Sequence, residues 1–162
     1  VLLLEGGKKL YKQLYKYNNK IIFMKTVYLD TNIYIDYFLN RTDKLRPLGD
    51  FAFNLIKKIV IGEYKLVISD LVIAELEYNG FEKQVKILLE KLKETNNLIF
   101  VISIEDDNIK ANRIVKERKT SFNDTKHAVI TNRSKVDYFV TRNVKDFENL
   151  SDLVYPVYPE NL

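Results

Sequence analysis

Four carboxylates in this chain stand where chemistry could be done. Asp30 directly follows the apolar stretch Thr26-Val27-Tyr28-Leu29. Glu75 lies seven residues past a second such stretch, Lys65–Ile68. Asp124 opens a helical segment, and Asp146 lies six residues past Tyr138–Val140. Carboxylates that converge repel one another, and at least one must take up a proton unless a cation intervenes. A hard divalent ion such as Mg2+ or Mn2+ resolves the conflict, because hard ions prefer oxygen ligands. Held by a few carboxylates, such an ion keeps positions open for water and for a phosphate oxygen. It can acidify the water, neutralise phosphate charge and orient the attack. That combination describes phosphodiester hydrolysis without a side-chain nucleophile.

The segments that must position these acids alternate between strand and helix. Short apolar strands are predicted at Thr26–Leu29, Lys65–Ile68, Leu98–Ile102 and Tyr138–Val140, with an edge strand at Leu153–Tyr155 before Pro156 and Pro159 end regular structure. Helical spacing predicts helices over Ile33–Leu39, Asp50–Ile61 with Gly62 at its C-cap, Leu71–Tyr78 and Phe81–Glu94. Further helices are predicted over Glu105–Lys119, with Ile109, Ile114 and Val115 inward, over Asn123–Asn132, and as a short turn through Phe147. The apolar stripe of Phe81–Glu94 reads as core. This order points to a mostly parallel sheet of four or five strands, covered on both faces. In such sheets ligands bind outside the C-terminal strand ends, which is where the acids fall.

Composition narrows the alternatives. The 162 residues fit one domain, and 46% are hydrophobic, enough for a sizeable core. With no cysteine there is no disulfide framework, thiolate zinc site or cysteine nucleophile. No apolar run approaches the roughly 20 residues that span a bilayer, and a cytoplasmic location is expected. The net charge of +4 arises from residues 1–23, with five lysines against one glutamate; the remainder is neutral. Nucleic-acid contact must therefore come from local clusters or from a metal. The sole methionine, Met24, precedes the first strand. Residues 24–162 are read as the domain, and residues 1–23 as an upstream extension or a weakly docked helix near Lys8–Tyr17.

The segments Val27–Asn32, Ile68–Leu76, Asn123–Ala128 and Phe139–Phe147, in this order and spacing, resemble those of PIN-domain ribonucleases, most of all VapC-type toxins. The resemblance covers about Met24 to Tyr158. It implies a three-layer α/β/α fold, a Mg2+- or Mn2+-dependent endoribonuclease acting on RNA, a partner antitoxin and a homodimer. It also implies metal-binding roles for Asp30, Glu75 and Asp124. The fourth position is shared between Asp146 and Asn143, and hydroxyls of Thr31 and Thr141 fall beside the acids. The family more often has small apolar residues around the acid where this chain has Asn123-Asp124-Thr125.

Structural roles compete for the same residues. Asp30 could be a helix N-cap, and Asp124 a first-turn acid favoured by the helix dipole. Glu77 rivals Glu75. The only histidine, His127, lies one turn after Asp124 and is read as a packing or surface residue rather than a base. Arg142 is read as solvated rather than phosphate-binding. Asp70, Asp106, Asp107 and Asp137 read as caps and turns.

Overall fold

The computed structural model describes residues 24–162. Five strands form one all-parallel sheet: β1 (Thr26–Leu29), β2 (Lys65–Ser69), β3 (Leu98–Val101), β4 (Tyr138–Val140) and β5 (Pro156–Val157), in the spatial order β3-β2-β1-β4-β5. Between β1 and β2 run α1 (Thr31–Leu39) and α2 (Leu48–Val60). Between β2 and β3 run α3 (Asp70–Tyr78) and α4 (Glu82–Glu94). Between β3 and β4 run α5 (Glu105–Arg118) and α6 (Phe122–Arg133), and 3-10 turns follow at Val144–Leu150 and Pro159–Asn161. The helices α1–α4 pack on one another, as do α5 and α6, in a three-layer α/β/α arrangement.

Parallel strands need crossovers, so both sheet faces are covered and the central strands read as nearly unbroken apolar runs. Val27, Tyr28, Leu29, Leu66, Val67 and Ile68 are all buried. From α4, Val85, Leu88 and Leu92 enter the core, as their spacing predicts. Phe147 is fully buried and meets Phe139 edge-on, with ring centroids 4.6 Å apart. Gly62 ends α2 at φ +85°, a conformation that a side chain would strain.

The chain leaves β1 toward β2 and β3, then returns to β1's other side with β4 and β5. The strand order therefore reverses beside β1, and the crevice at this switch point opens between the C-terminal ends of β1 and β4. Asp30 ends β1 and Thr141 ends β4.

Two expectations need correcting. The edge strand is not Leu153–Tyr155 but Pro156–Val157. The Leu150 carbonyl accepts from both Leu153 N and Val154 N and holds those residues in a turn. Proline fits the new position because β5 is an edge strand, where a missing donor can face away from the sheet. Ile109 is not inward but 60% exposed; Ala111 and Ile114 fill that face of α5. The N-terminal helix expected near Lys8–Tyr17 lies outside the described residues. No helix among the described residues is long and apolar enough to cross a membrane.

Candidate active site

Asp30 occupies the N-cap position of α1, yet its side chain makes no capping bond. Its Oδ2 instead accepts from Thr141 Oγ1 at 2.6 Å and Asn32 Nδ2 at 2.7 Å. Its Oδ1 faces His127 Nε2 at 4.0 Å. The carboxylate is 6% exposed, and burial raises its pKa above the ordinary range against the opposing His127 and Thr141. The capping interpretation therefore fails on geometry.

Glu75 reaches the site from the second turn of α3. Ser69 starts that helix, its Oγ accepting from Val72 N at 3.3 Å. Glu75 Oε2 accepts from Thr31 Oγ1 and pairs with His127 Nε2 at 3.0 Å; Oε1 accepts from Asn123 Nδ2 at 2.9 Å. Burial pushes Glu75 up, but the bonds from His127, Thr31 and Asn123 outweigh it and hold its pKa below the usual value. Glu77 is exposed, one face away.

Asp124 sits in the first turn of α6, where Ser121 Oγ caps its backbone N–H at 3.5 Å. Burial raises its pKa, followed by the negative charge of Asp30 and then that of Asp146. Asp146 itself is exposed on the turn after β4. Asn143 is also exposed; its N–H donates to Thr141 Oγ1 at 3.0 Å and its carbonyl accepts from Asp146 N at 2.9 Å. Thus Asp30 and Glu75 flank one imidazole nitrogen, while Asp124 feels the charges of Asp30 and Asp146.

This donor set fits a hard dication. All four acids offer oxygen ligands, and burial, with the negative charge of neighbouring acids, raises the pKa values of Asp30 and Asp124 against the opposing His127. Among the described residues, no three acidic or histidine groups form a tight ligand cluster in the present rotamers. The hydrogen bonds explain this: Glu75 is turned onto three donors, and Asp30 onto two. An open depression lined by Thr31, Glu75, Tyr78, Asn79 and Asn123 adjoins Glu75 alone of the four acids.

Sequence reasoning missed several members of the site. His127 is buried, as the packing alternative has it, but it also bonds Glu75 directly, which that reading did not include. Asn32 and Asn123 hold the two carboxylates, and Tyr28 stands behind His127. A signal existed for Tyr28, which precedes Asp30 by two residues and so shares its face of the strand register. Arg142 is not solvated. Its Nε donates to Asp36 Oδ2 at 2.9 Å, a second nitrogen reaches Glu160, and a third donates to the Leu48 carbonyl at 3.2 Å. Asp107 does cap Ile104 N, at 3.0 Å, but is also buried and forked onto Arg133 at 2.9 and 2.8 Å.

The PIN domain family model matches residues 26–145, and the chain belongs to the PIN-domain family. Solved structures share the fold. A toxin–antitoxin complex from Klebsiella pneumoniae aligns with a TM-score of 0.56 at 18% identity, covering 82% of this chain and 97% of that one. VapBC2 from Rickettsia felis, bound to a DNA fragment from its promoter, gives 0.56 at 19%, covering 82% and 98%. VapBC-1 from nontypeable Haemophilus influenzae gives 0.56 at 20%, covering 83% and 98%. No curated protein sequence matches the chain.

Proposed function

We propose that this chain is the toxin of a VapBC-type pair, an endoribonuclease that hydrolyses RNA phosphodiester bonds with Mg2+ or Mn2+. One observation carries this reading. Buried Asp30 and half-buried Asp124 lie at the switch point with pKa values raised by burial and by neighbouring negative charge. Carboxylates from separate segments that gather at one site repel one another, and a hard dication relieves that repulsion.

Asp30, Asp124 and Asp146 would hold the ion, and Glu75 would supply the fourth carboxylate. When bound, the ion contributes a more acidic water and neutralises phosphate charge. Thr141 and Asn32 keep Asp30 in place, while Thr31, Asn123 and His127 keep Glu75 in place. Asn143 contributes its backbone to the turn that carries Asp146.

The toxin role is supported by neighbours that are themselves toxin–antitoxin complexes. An acidic cluster of this kind would also accept an arginine from an antitoxin, whose planar fork matches a carboxylate pair. A homodimer in the cytoplasm belongs to the same reading, and light scattering measures it.

Purified protein is expected to cleave RNA when Mg2+ or Mn2+ is added and to stop when EDTA removes the ion. Cleavage that persists in EDTA would sink the metal mechanism. Expression alone is expected to arrest growth, and co-expression with an antitoxin from the neighbouring gene to relieve it. Harmless solo expression of an active nuclease would instead indicate a housekeeping RNA-processing or decay enzyme.

A further inference from the structure

Behind Glu75 lies a chain of buried polar side chains that the four acids do not require. Ser69 Oγ is 2.6 Å from Tyr28 Oη, Tyr28 Oη is 2.9 Å from His127 Nδ1, and His127 Nε2 is 3.0 Å from Glu75 Oε2. Ser69, Tyr28 and His127 are each at most 1% exposed. Groups so deeply buried must satisfy their donors and acceptors among themselves.

With the imidazole neutral, that requirement favours one direction for every bond. An ionised Glu75 only accepts, so His127 Nε2 carries the hydrogen it donates. At the far end, Ser69 Oγ accepts from Val72 N, and its own hydrogen needs an acceptor, which Tyr28 Oη provides. Tyr28 then donates its single hydrogen to His127 Nδ1. Reversing the chain would strand the Ser69 hydrogen in the core. Burial also keeps the Tyr28 phenol protonated, since its pKa lies well above the ordinary value.

We infer that Ser69, Tyr28 and His127 form a one-way hydrogen-bond relay that fixes the imidazole in its Nε2–H tautomer and thereby orients the Glu75 carboxylate at the acidic site. His127 is a positioning residue, acting through Glu75 and not on the substrate. The relay spans β1, β2 and α6, so it also locks the element that carries Asp124 to the strand that carries Asp30. This inference rests on Glu75 belonging to the nuclease site.

The chain has one histidine, so its ring signals need no assignment. Nitrogen–proton correlation spectra of metal-free protein at neutral pH are expected to show a single species protonated at Nε2. Tyr28→Phe removes only the hydroxyl and is expected to release that preference, giving a mixture of tautomers. The same variant is expected to weaken Mn2+ binding, measured by calorimetry, by roughly 10- to 100-fold. His127→Gln keeps an amide donor near the Nε2 position and is expected to bind Mn2+ more tightly than His127→Ala. A wild-type proton on Nδ1, or Tyr28→Phe spectra unchanged from wild type, would overturn the relay even if His127→Ala failed to fold. The expected tautomer in a protein that neither binds Mn2+ nor cleaves RNA would support the relay and overturn the nuclease reading instead.

Discussion

Asp30→Asn is expected to reduce metal-dependent RNA cleavage by at least about 1,000-fold, equivalent to roughly 4 kcal/mol of barrier. The substitution preserves shape and both hydrogen-bonding neighbours, Thr141 and Asn32, while removing the charge that would hold a dication. It should not weaken the fold. Asp30 and Asp124 have folded-state pKa values above their unfolded ones. Between those values the native protein retains protons that the unfolded chain has released, so stability falls as pH rises through that window. Glu75 acts oppositely: its lowered pKa contributes stability above the unfolded value, and this is lost as pH falls through the folded one. In chelator, thermal unfolding of Asp30→Asn should therefore show a shallower loss of stability above the ordinary carboxylate range than wild type. Mn2+ should raise the wild-type melting temperature and leave the variant's nearly unchanged, because an ion that binds only the folded state stabilises by mass action. Cleavage at wild-type rates by Asp30→Asn would refute the assignment of the site.

Arg142→Ala should be the most destabilising single change near the site, by about 3–5 kcal/mol, because it leaves a buried charge without its partner. Asp36 is 1% exposed, and Arg142 meets it at 2.9 Å while stacking over Phe51, 5.5 Å from the ring centroid. The remaining partner, Arg41, is 3.4 Å away and half exposed. Removal also takes one of two arginine partners from Glu160, which keeps Arg46, and a donor from the Leu48 carbonyl. Against a typical stability of about 5–15 kcal/mol, that is a large share. Arg142→Lys keeps the charge but not the planar fork, and should fall in between. Urea unfolding measures the series, and a loss below about 1 kcal/mol for Arg142→Ala would show that the ion pair is not structural.

The two predictions mark where sequence is informative and where it stops. Asp30 alone would read as a helix N-cap; three companion segments in order, and an alternation of elements that places the strand end at the switch point, made it a candidate site residue. Ser69 carries a similar local signal, a hydroxyl directly before an apolar helical run, whereas the Ser121 cap lies two residues before the helix start read at Asn123. Arg142 was not legible, because its partners Asp36 and Glu160 lie 106 and 18 residues away and nothing nearby announces them. Ile109 misled because apolar spacing on α5 defines more than one stripe, and packing chose Ala111 and Ile114. His127 carried a true signal, its position one turn past Asp124, but solitary histidines have several uses, and only Tyr28 and Glu75 on either side distinguish them.

Every bond that steadies Asp30 and Glu75 from another element spans a long stretch of chain. Thr31 and Glu75 are 44 residues apart, Glu75 and His127 are 52, and Asp30 and Thr141 are 111. During synthesis, a ribosome must deliver most of the polypeptide before β4 can dock against β1. A nascent chain stopped before Tyr138 would carry three of the four acids yet lack both β4 and Thr141, whose hydroxyl pins Asp30. On the proposed ribonuclease reading, interrupted translation products should therefore be harmless to the RNA of the cell that makes them.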